Sequence, residues 1–371
     1  MRYIRSVLAA AAITVQVPCG AGALSGAISN AVDGDVLQLA RNCTYVLTSA
    51  LPDVTASITI QGTNSTIERS YSGSTPDFSL LDVGSGGDLT VSQVNFTNGY
   101  ASDYGGAIYG ENGPVTVHGG TFTGNYSNSY GGAIDAEHGV SIAGATFTDN
   151  SALFYGGAVS VAGGSSSITG TTFTGNTVTG GGGEGGALIA FTDTKVATST
   201  FSGNTAEDGG ALYVDGGFTV VSNSSFTRNA GPGNGGAVYT GSGSFVALSS
   251  LFKQNVTDGE GGAIYNDVNA LVKASTFSNN YSSSEYGGAI YNASTMAVAA
   301  GSSFKGNSAP YGGAVYNAST FTLSGDSLSG NTAQYGAGLY TADFGPSARP
   351  HSSRTRRPRR GVVSTTTPAT T

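Results

Sequence analysis

The sequence predicts an all-β parallel β-helix, a solenoid of about 12 rungs with a short N-terminal capping helix. Three observations carry that expectation. Gly-Gly-Ala begins at Gly105, Gly131, Gly156, Gly185, Gly209, Gly235, Gly261, Gly287 and Gly312, in nearly even steps, with a worn copy at Gly336. A second phrase, Phe-x-x-Asn, alternates with the first from Phe122/Asn125 to Phe304/Asn307 and decays to Leu328/Asn331. Between the phrases lie short alternating runs, and no helical period follows Thr90. A unit this small cannot bury its own apolar face, so successive units must stack strand upon strand.

Composition agrees. Of 371 residues 59 are Gly, 39% are hydrophobic and 10% are charged, which leaves a core available and calls for many turns. Met1 to Phe344 holds every Asp and Glu of the chain and far fewer Lys and Arg than acids, whereas Gly345 to Thr371 is rich in Arg and has no acid. A body without a basic stripe cannot displace phosphate counterions, so nucleic acid is excluded as its partner.

Taken in order, residues 1–18 read as an export signal with a possible first strand in "ITVQV"; the apolar run is too short to span a bilayer. A secreted, extracellular or cell-surface location follows. Cys19 and Cys43 are the only cysteines, as expected for one disulfide in an exported protein. Residues 19–95 read as an N-terminal cap and irregular first coils. Leu24, Ala27, Ile28, Ala31 and Val32 have helical spacing, and a short helix there would cover the open first coil.

Residues 96–344 are the repeats. In them the residue after Gly-Gly-Ala (Ile108, Ile134, Val159, Leu188, Leu212, Val238, Ile264, Ile290, Val315) forms an inward aliphatic stack, and the Phe residues an aromatic one. The Asn residues suit a side-chain ladder and the paired glycines a tight corner. Spacing from Gly-Gly-Ala to the next Phe hardly changes, as from Gly131 to Phe147 and from Gly156 to Phe173. From Phe to the following Gly-Gly it varies, being short between Phe201 and Gly209 and long between Phe173 and Gly185, so insertions collect at one corner. Residues 345–371 read as a disordered basic tail able to contact anionic polymer.

The paired GGA(I/L/V) and FxxN phrases from about Phe96 to Tyr340 resemble the passenger repeats of the chlamydial polymorphic outer-membrane proteins and of related right-handed β-helix proteins. The amphipathic start resembles the cap of pectate-lyase-like β-helices. The resemblance implies a secreted or surface-displayed adhesive passenger, and an outer-membrane location follows from it alone.

Candidate site residues fall in columns. Strand alternation turns the residue after the inward aliphatic outward, so Tyr213, Tyr239, Tyr265, Tyr291, Tyr316 and Tyr340, with Tyr109 at the start, should form an exposed tyrosine strip. Tyr104, Tyr130, Tyr155, Tyr286, Tyr311 and Tyr335 form a second column before the glycines. Such strips suit glycans or a surface protein, and also simple rung-to-rung packing. The reading is an adhesive or carbohydrate-binding scaffold, monomeric and without a cofactor. The alternative is a polysaccharide lyase or glycoside hydrolase using Glu111 and Glu137, which share a column beside Asp135 and His138. The corner acids Asp103, Glu184, Glu207, Asp208, Asp258, Glu260 and Glu285 read as solubilising, and His118 and His138 form no metal pattern.

Overall fold

The structure, a computed structural model, describes residues 12–342. Most of the expected export signal and the expected tail lie outside the described residues. Within them the chain winds as a parallel β-solenoid of about 13 turns with one helix near its start.

One coil shows why the repeat reads as it does. After Gly131 and Gly132 the chain runs through the strands Ile134–Ala136, Val140–Ala143, Thr146–Thr148 and Ser151–Ala152, and then turns into the next Gly-Gly. Each strand pairs in parallel with its counterpart one coil on, in the register Ile134↔Val159, Ile142↔Ile168 and Phe147↔Phe173. Gly131 turns the corner at φ 59°, and a Cβ there would run into the Ile134 carbonyl. A Cβ on Gly132 would strike the Gly157 carbonyl of the next coil, so neither glycine is replaceable without moving backbone.

Inside, the Phe column from Phe96 to Phe304 stacks at centroid spacings of 4.6 to 5.0 Å and is fully buried. That spacing is the rung spacing itself, so each ring meets the next without bending the backbone. Beside it runs the asparagine ladder. The Nδ2 of Asn125 donates to Asn150 Oδ1 at 2.9 Å, and the pattern repeats through Asn176, Asn204, Asn229, Asn255, Asn280 and Asn307 to Asn331. Each Oδ1 also takes a backbone N–H from the coil below, and each Nδ2 also donates to a Phe carbonyl, as Asn150 does to Phe122. Every inward amide is therefore satisfied by its own neighbours.

The cap follows the same economy. The helix α1, Ala21–Asn30, buries Leu24 and Ile28. Val32, expected on its apolar face, is instead 40% exposed, because the chain leaves the helix at Ala31 in an extended conformation. Thr14–Val17 is a strand paired with Val36–Leu39, so "ITVQV" contributes to the first coil. Cys19 and Cys43 are joined with a Cα–Cα distance of 5.7 Å. The fully buried Tyr45 donates to the Val17 carbonyl and accepts from the Ala40 amide, both at 2.8 Å, which ties that strand to the cap.

Candidate functional site

The face that follows the Gly-Gly corner differs from the other two. Its outward column, read in register, is Asp82, Tyr109, Asp135, Ser160, Ile189, Tyr213, Tyr239, Tyr265, Tyr291, Tyr316 and Tyr340. The corner column beside it begins Tyr104, Tyr130, Tyr155, Glu184, Asp208 and ends Tyr286, Tyr311, Tyr335, with Glu260 hydrogen-bonded in between through the Gly235 amide. Tyr130 stands beside Asp135 and Tyr155 beside Ser160, Asp208 beside Tyr213 and Glu260 beside Tyr265, and toward the C-terminus both columns hold tyrosine.

The expected exposed tyrosine strip is thereby corrected. Tyr213 and Tyr316 are only 8% exposed and Tyr340 only 4%, while Tyr109, Tyr239, Tyr265 and Tyr291 are half-buried. Alternation does turn these rings outward, but the corner residues fold over them: Tyr286 lies 4.4 Å from Tyr316. The rings from Tyr213 to Tyr340 form an unbroken stack at 4.6 to 5.3 Å, tilted by no more than 14°. The more exposed rings belong to the corner column, Tyr104 at 36% and Tyr335 at 49%.

A second correction concerns the corner acids. Glu207, Asp258, Glu285 and Asp103 are exposed, as solubilising residues are, but Glu184, Asp208 and Glu260 are half-buried against the tyrosines. Burial pushes Glu184 up to about 7, helped by Asp215 and Asp208 and opposed by a hydrogen bond from Tyr213. Glu260 rises to about 7 through burial and the nearby Glu285. Asp208 also rises through burial, although its Oδ1 accepts the Asn234 amide at 2.6 Å. In return the phenols move up: burial and these carboxylates push Tyr239 to about 12. In the middle of the face the carboxyl groups of Glu184 and Glu260 take up protons near neutral pH while the phenols beside them stay protonated.

Toward the N-terminus two open cavities flank a tyrosine pair, Tyr104 and Tyr109, whose rings lie 5.2 Å apart. The first, about 330 Å³, is lined by Tyr104, Tyr130, Asp135, Glu137, Ala162 and Phe191. The second, about 340 Å³, includes Phe78, Asp82, Asp103, Tyr104, Tyr109 and Glu111. Glu111 and Glu137 are both exposed, and Glu137 takes a long 3.4 Å hydrogen bond from the Tyr109 hydroxyl. Asp135, which sequence reasoning placed only beside them, is the buried member: it is 2% exposed and its carboxyl is pushed up to about 7 by burial. Ser160, its register partner, eases that rise, yet neither the Ser160 hydroxyl nor Asp135 Oδ1 completes a hydrogen bond. Asp82 Oδ1 is likewise unpaired, and burial raises Asp82 to about 6. The register Asp82↔Tyr109↔Asp135 was available in the sequence once the Ile column was aligned. What it lacked was a repeated letter to draw attention.

No Lys, Arg or His lines either cavity. Lys195 and Lys273 lie on the second strand face, and Lys253, Lys305 and Arg228 on or next to the Phe-bearing strands. His118 and His138 are exposed and apart, and among the described residues no group of three His, Cys, Asp or Glu comes together to hold a metal ion. No described helix is long and apolar enough to cross a membrane.

Comparison with known proteins bears on the repeat and the fold. The Chlamydia polymorphic membrane protein repeat matches residues 119–137, 198–215, 249–267 and 274–293, segments that run from one Phe-x-x-Asn phrase through the next Gly-Gly-Ala. No curated protein matches the sequence. Among solved structures, a PL6 alginate lyase in complex with a trisaccharide is similar at a TM-score of 0.50 and 11% identity, over 88% of this chain and 87% of the lyase. At that identity the likeness is one of fold. The chain is a parallel β-helix in which four segments match the Chlamydia polymorphic membrane protein repeat.

Proposed function

We propose that the protein is an exported or surface-displayed scaffold that binds glycans through its tyrosine and carboxyl face. The observation that carries this reading is the six-ring tyrosine stack bordered by Glu184, Asp208 and Glu260. The stacked rings present their edges and hydroxyls, the exposed corner rings can pack on the apolar faces of sugars, and carboxyl groups at the rim accept and donate hydrogen bonds to hydroxyls. Repetition at the rung spacing offers such contacts along a chain, so affinity grows with glycan length through several weak contacts. The repeat family supports a surface passenger, and the solved lyase of this fold holds a sugar, which supports a carbohydrate partner. Tyr109, Tyr213, Tyr239, Tyr265, Tyr291, Tyr316 and Tyr340 form the floor in this reading, and the corner rings Tyr104, Tyr286 and Tyr335 the accessible contacts.

Cleavage of an acidic polysaccharide is the second reading, favoured by the raised carboxyl of Asp135 beside Glu137. It fits the face less well. A uronate polymer would lay its carboxylates on Asp82, Asp135, Glu184, Asp208 and Glu260 with no cation in either cavity to offset them.

The test is a glycan array probed with the full chain and with a Tyr286→Ala/Tyr335→Ala variant. The reading expects a specific signal that falls about tenfold or more in the variant. An equal signal from both proteins, or none from the wild type, contradicts it. For the second reading, Asp135→Asn should abolish the ultraviolet absorbance of newly formed unsaturated uronates, and absence of that signal in the wild type removes it.

A further inference from the structure

We propose that the cavity walled by Tyr104, Tyr130 and Phe191 over Asp135 is a subsite for an ammonium group, so that the preferred glycan carries free amines, as a glucosamine oligomer does. This rests on the glycan reading above and names its substrate class. Three ring-bearing walls and two carboxyl groups converge on one space of about 330 Å³. Tyr130 and Phe191 have centroids 6.4 Å apart at 55°, and Phe191 meets Tyr155 edge-on at 6.3 Å, so the rings are held by each other rather than by a ligand. Aromatic faces set at such angles around a carboxylate attract a cation and repel an anion.

The second observation is the unpartnered Oδ1 of Asp135. A carboxyl that is 2% exposed and short of hydrogen bonds costs several kcal/mol unless something compensates it. Its register neighbours leave that oxygen open: Tyr109 gives its hydroxyl to Glu137, and Ser160 and the Ala136 amide ease the carboxyl without completing Oδ1. Every titratable group that lines the cavity is acidic or phenolic, namely Asp135, Glu137, Tyr104 and Tyr130, with Tyr109, Tyr155 and Glu184 beside them and the exposed His138 next to Glu137 in the chain. An ammonium group would satisfy the carboxyl, sit against the rings and bring the opposite charge.

The neighbouring cavity repeats the arrangement. Across the Tyr104/Tyr109 pair, Asp82 is the half-buried acid with an unpaired Oδ1, and Phe78, Asp103 and Glu111 complete the wall. Arg69 lies over the Phe78 ring at 5.9 Å from its centroid, bound to Asp77 and to the Thr75 and Pro76 carbonyls, and does not line the cavity. Two acid-floored aromatic cavities side by side suit an oligomer with an amine on each unit better than a single lysine side chain.

The experiment is calorimetric titration of the full chain with a glucosamine tetramer, an N-acetylglucosamine tetramer and a short oligolysine peptide at pH 7.5. The proposal expects the glucosamine tetramer to bind about tenfold or more tightly than the acetylated one. Asp135→Asn and the exposed Glu137→Gln should each reduce that preference; the Glu137 variant guards against a folding defect in the first. Equal affinity for the two tetramers, an unchanged preference in both variants, or binding of oligolysine without glucosamine overturns the proposal. If the acetylated tetramer still binds in a manner that depends on Tyr286 and Tyr335, the amine subsite alone has failed. If neither tetramer binds and the array is silent, the glycan reading has failed with it.

Discussion

Two columns of polar side chains climb the same solenoid at the same rung spacing and end in opposite states. The asparagine ladder from Asn125 to Asn331 lies inside the wall, and each amide finds its partners in the coils above and below. The tyrosine and carboxyl face has comparable chances to pair and leaves them open: Asp82 and Asp135 each keep an unpaired oxygen, and Glu184 and Glu260 hold protons near neutral pH because burial has no cation to offset it. Repetition by itself therefore says nothing about purpose. What separates scaffold from surface is whether the repeated group completes its own hydrogen bonds.

Breaking the closed column should cost most. Asn229→Ala removes an oxygen that accepts from the Asn204 backbone amide and Nδ2, and an amide that donates to Asn255 and the Phe201 carbonyl. With buried partners stranded on both sides, the loss should be about 4 kcal/mol, read as a lower urea midpoint and new protease cutting near that coil. Next comes the cap, which supports both columns without belonging to either. Cys19→Ser, whose bridge closes a sequence separation of 24, should cost about 3 kcal/mol and expose the first coils to proteolysis while the Phe-stacked middle stays protected.

The open column should respond with the opposite sign. Carboxyl groups whose folded-state values are raised hold their proton more tightly folded than unfolded, so their contribution is fully favourable below about pH 4 and is lost as the pH climbs toward about 7. Glu184→Gln or Glu260→Gln should therefore stabilise the protein at pH 8, on the order of 1 kcal/mol after allowance for partial exposure, and change little at pH 4. Tyr265→Phe should matter least for stability, within about 0.5 kcal/mol, since the ring stack at 4.6 and 5.1 Å survives without the hydroxyl.

The closed column was legible in the sequence because its physics is local to the repeat. Phe122 and Asn125 return at a near-fixed interval, and parallel stacking makes each residue its own neighbour. The inward stacks follow from the same reasoning, and the capping helix was legible from the helical spacing of Leu24 and Ile28. The open face was half legible. Alternation turns Tyr213 and its successors outward, but outward does not mean exposed when a corner of variable length folds Tyr286 or Glu260 back across the strand. Asp135 was hidden for a related reason. It leaves the tyrosine column together with Asp82, Ser160 and Ile189, and letters that change from coil to coil carry no period, although in three dimensions it is the departure at Asp135 that opens the cavity.

The most direct measurement compares two faces on one glycan array. The full chain is probed beside a Glu184→Gln/Glu260→Gln/Tyr335→Ala variant and beside a Lys253→Ser/Lys305→Ser variant that alters the Phe-strand face. Loss of the specific signal in the first variant with retention in the second is the result expected if the unpaired column is the binding surface. Retention in both, or loss in both, would contradict it.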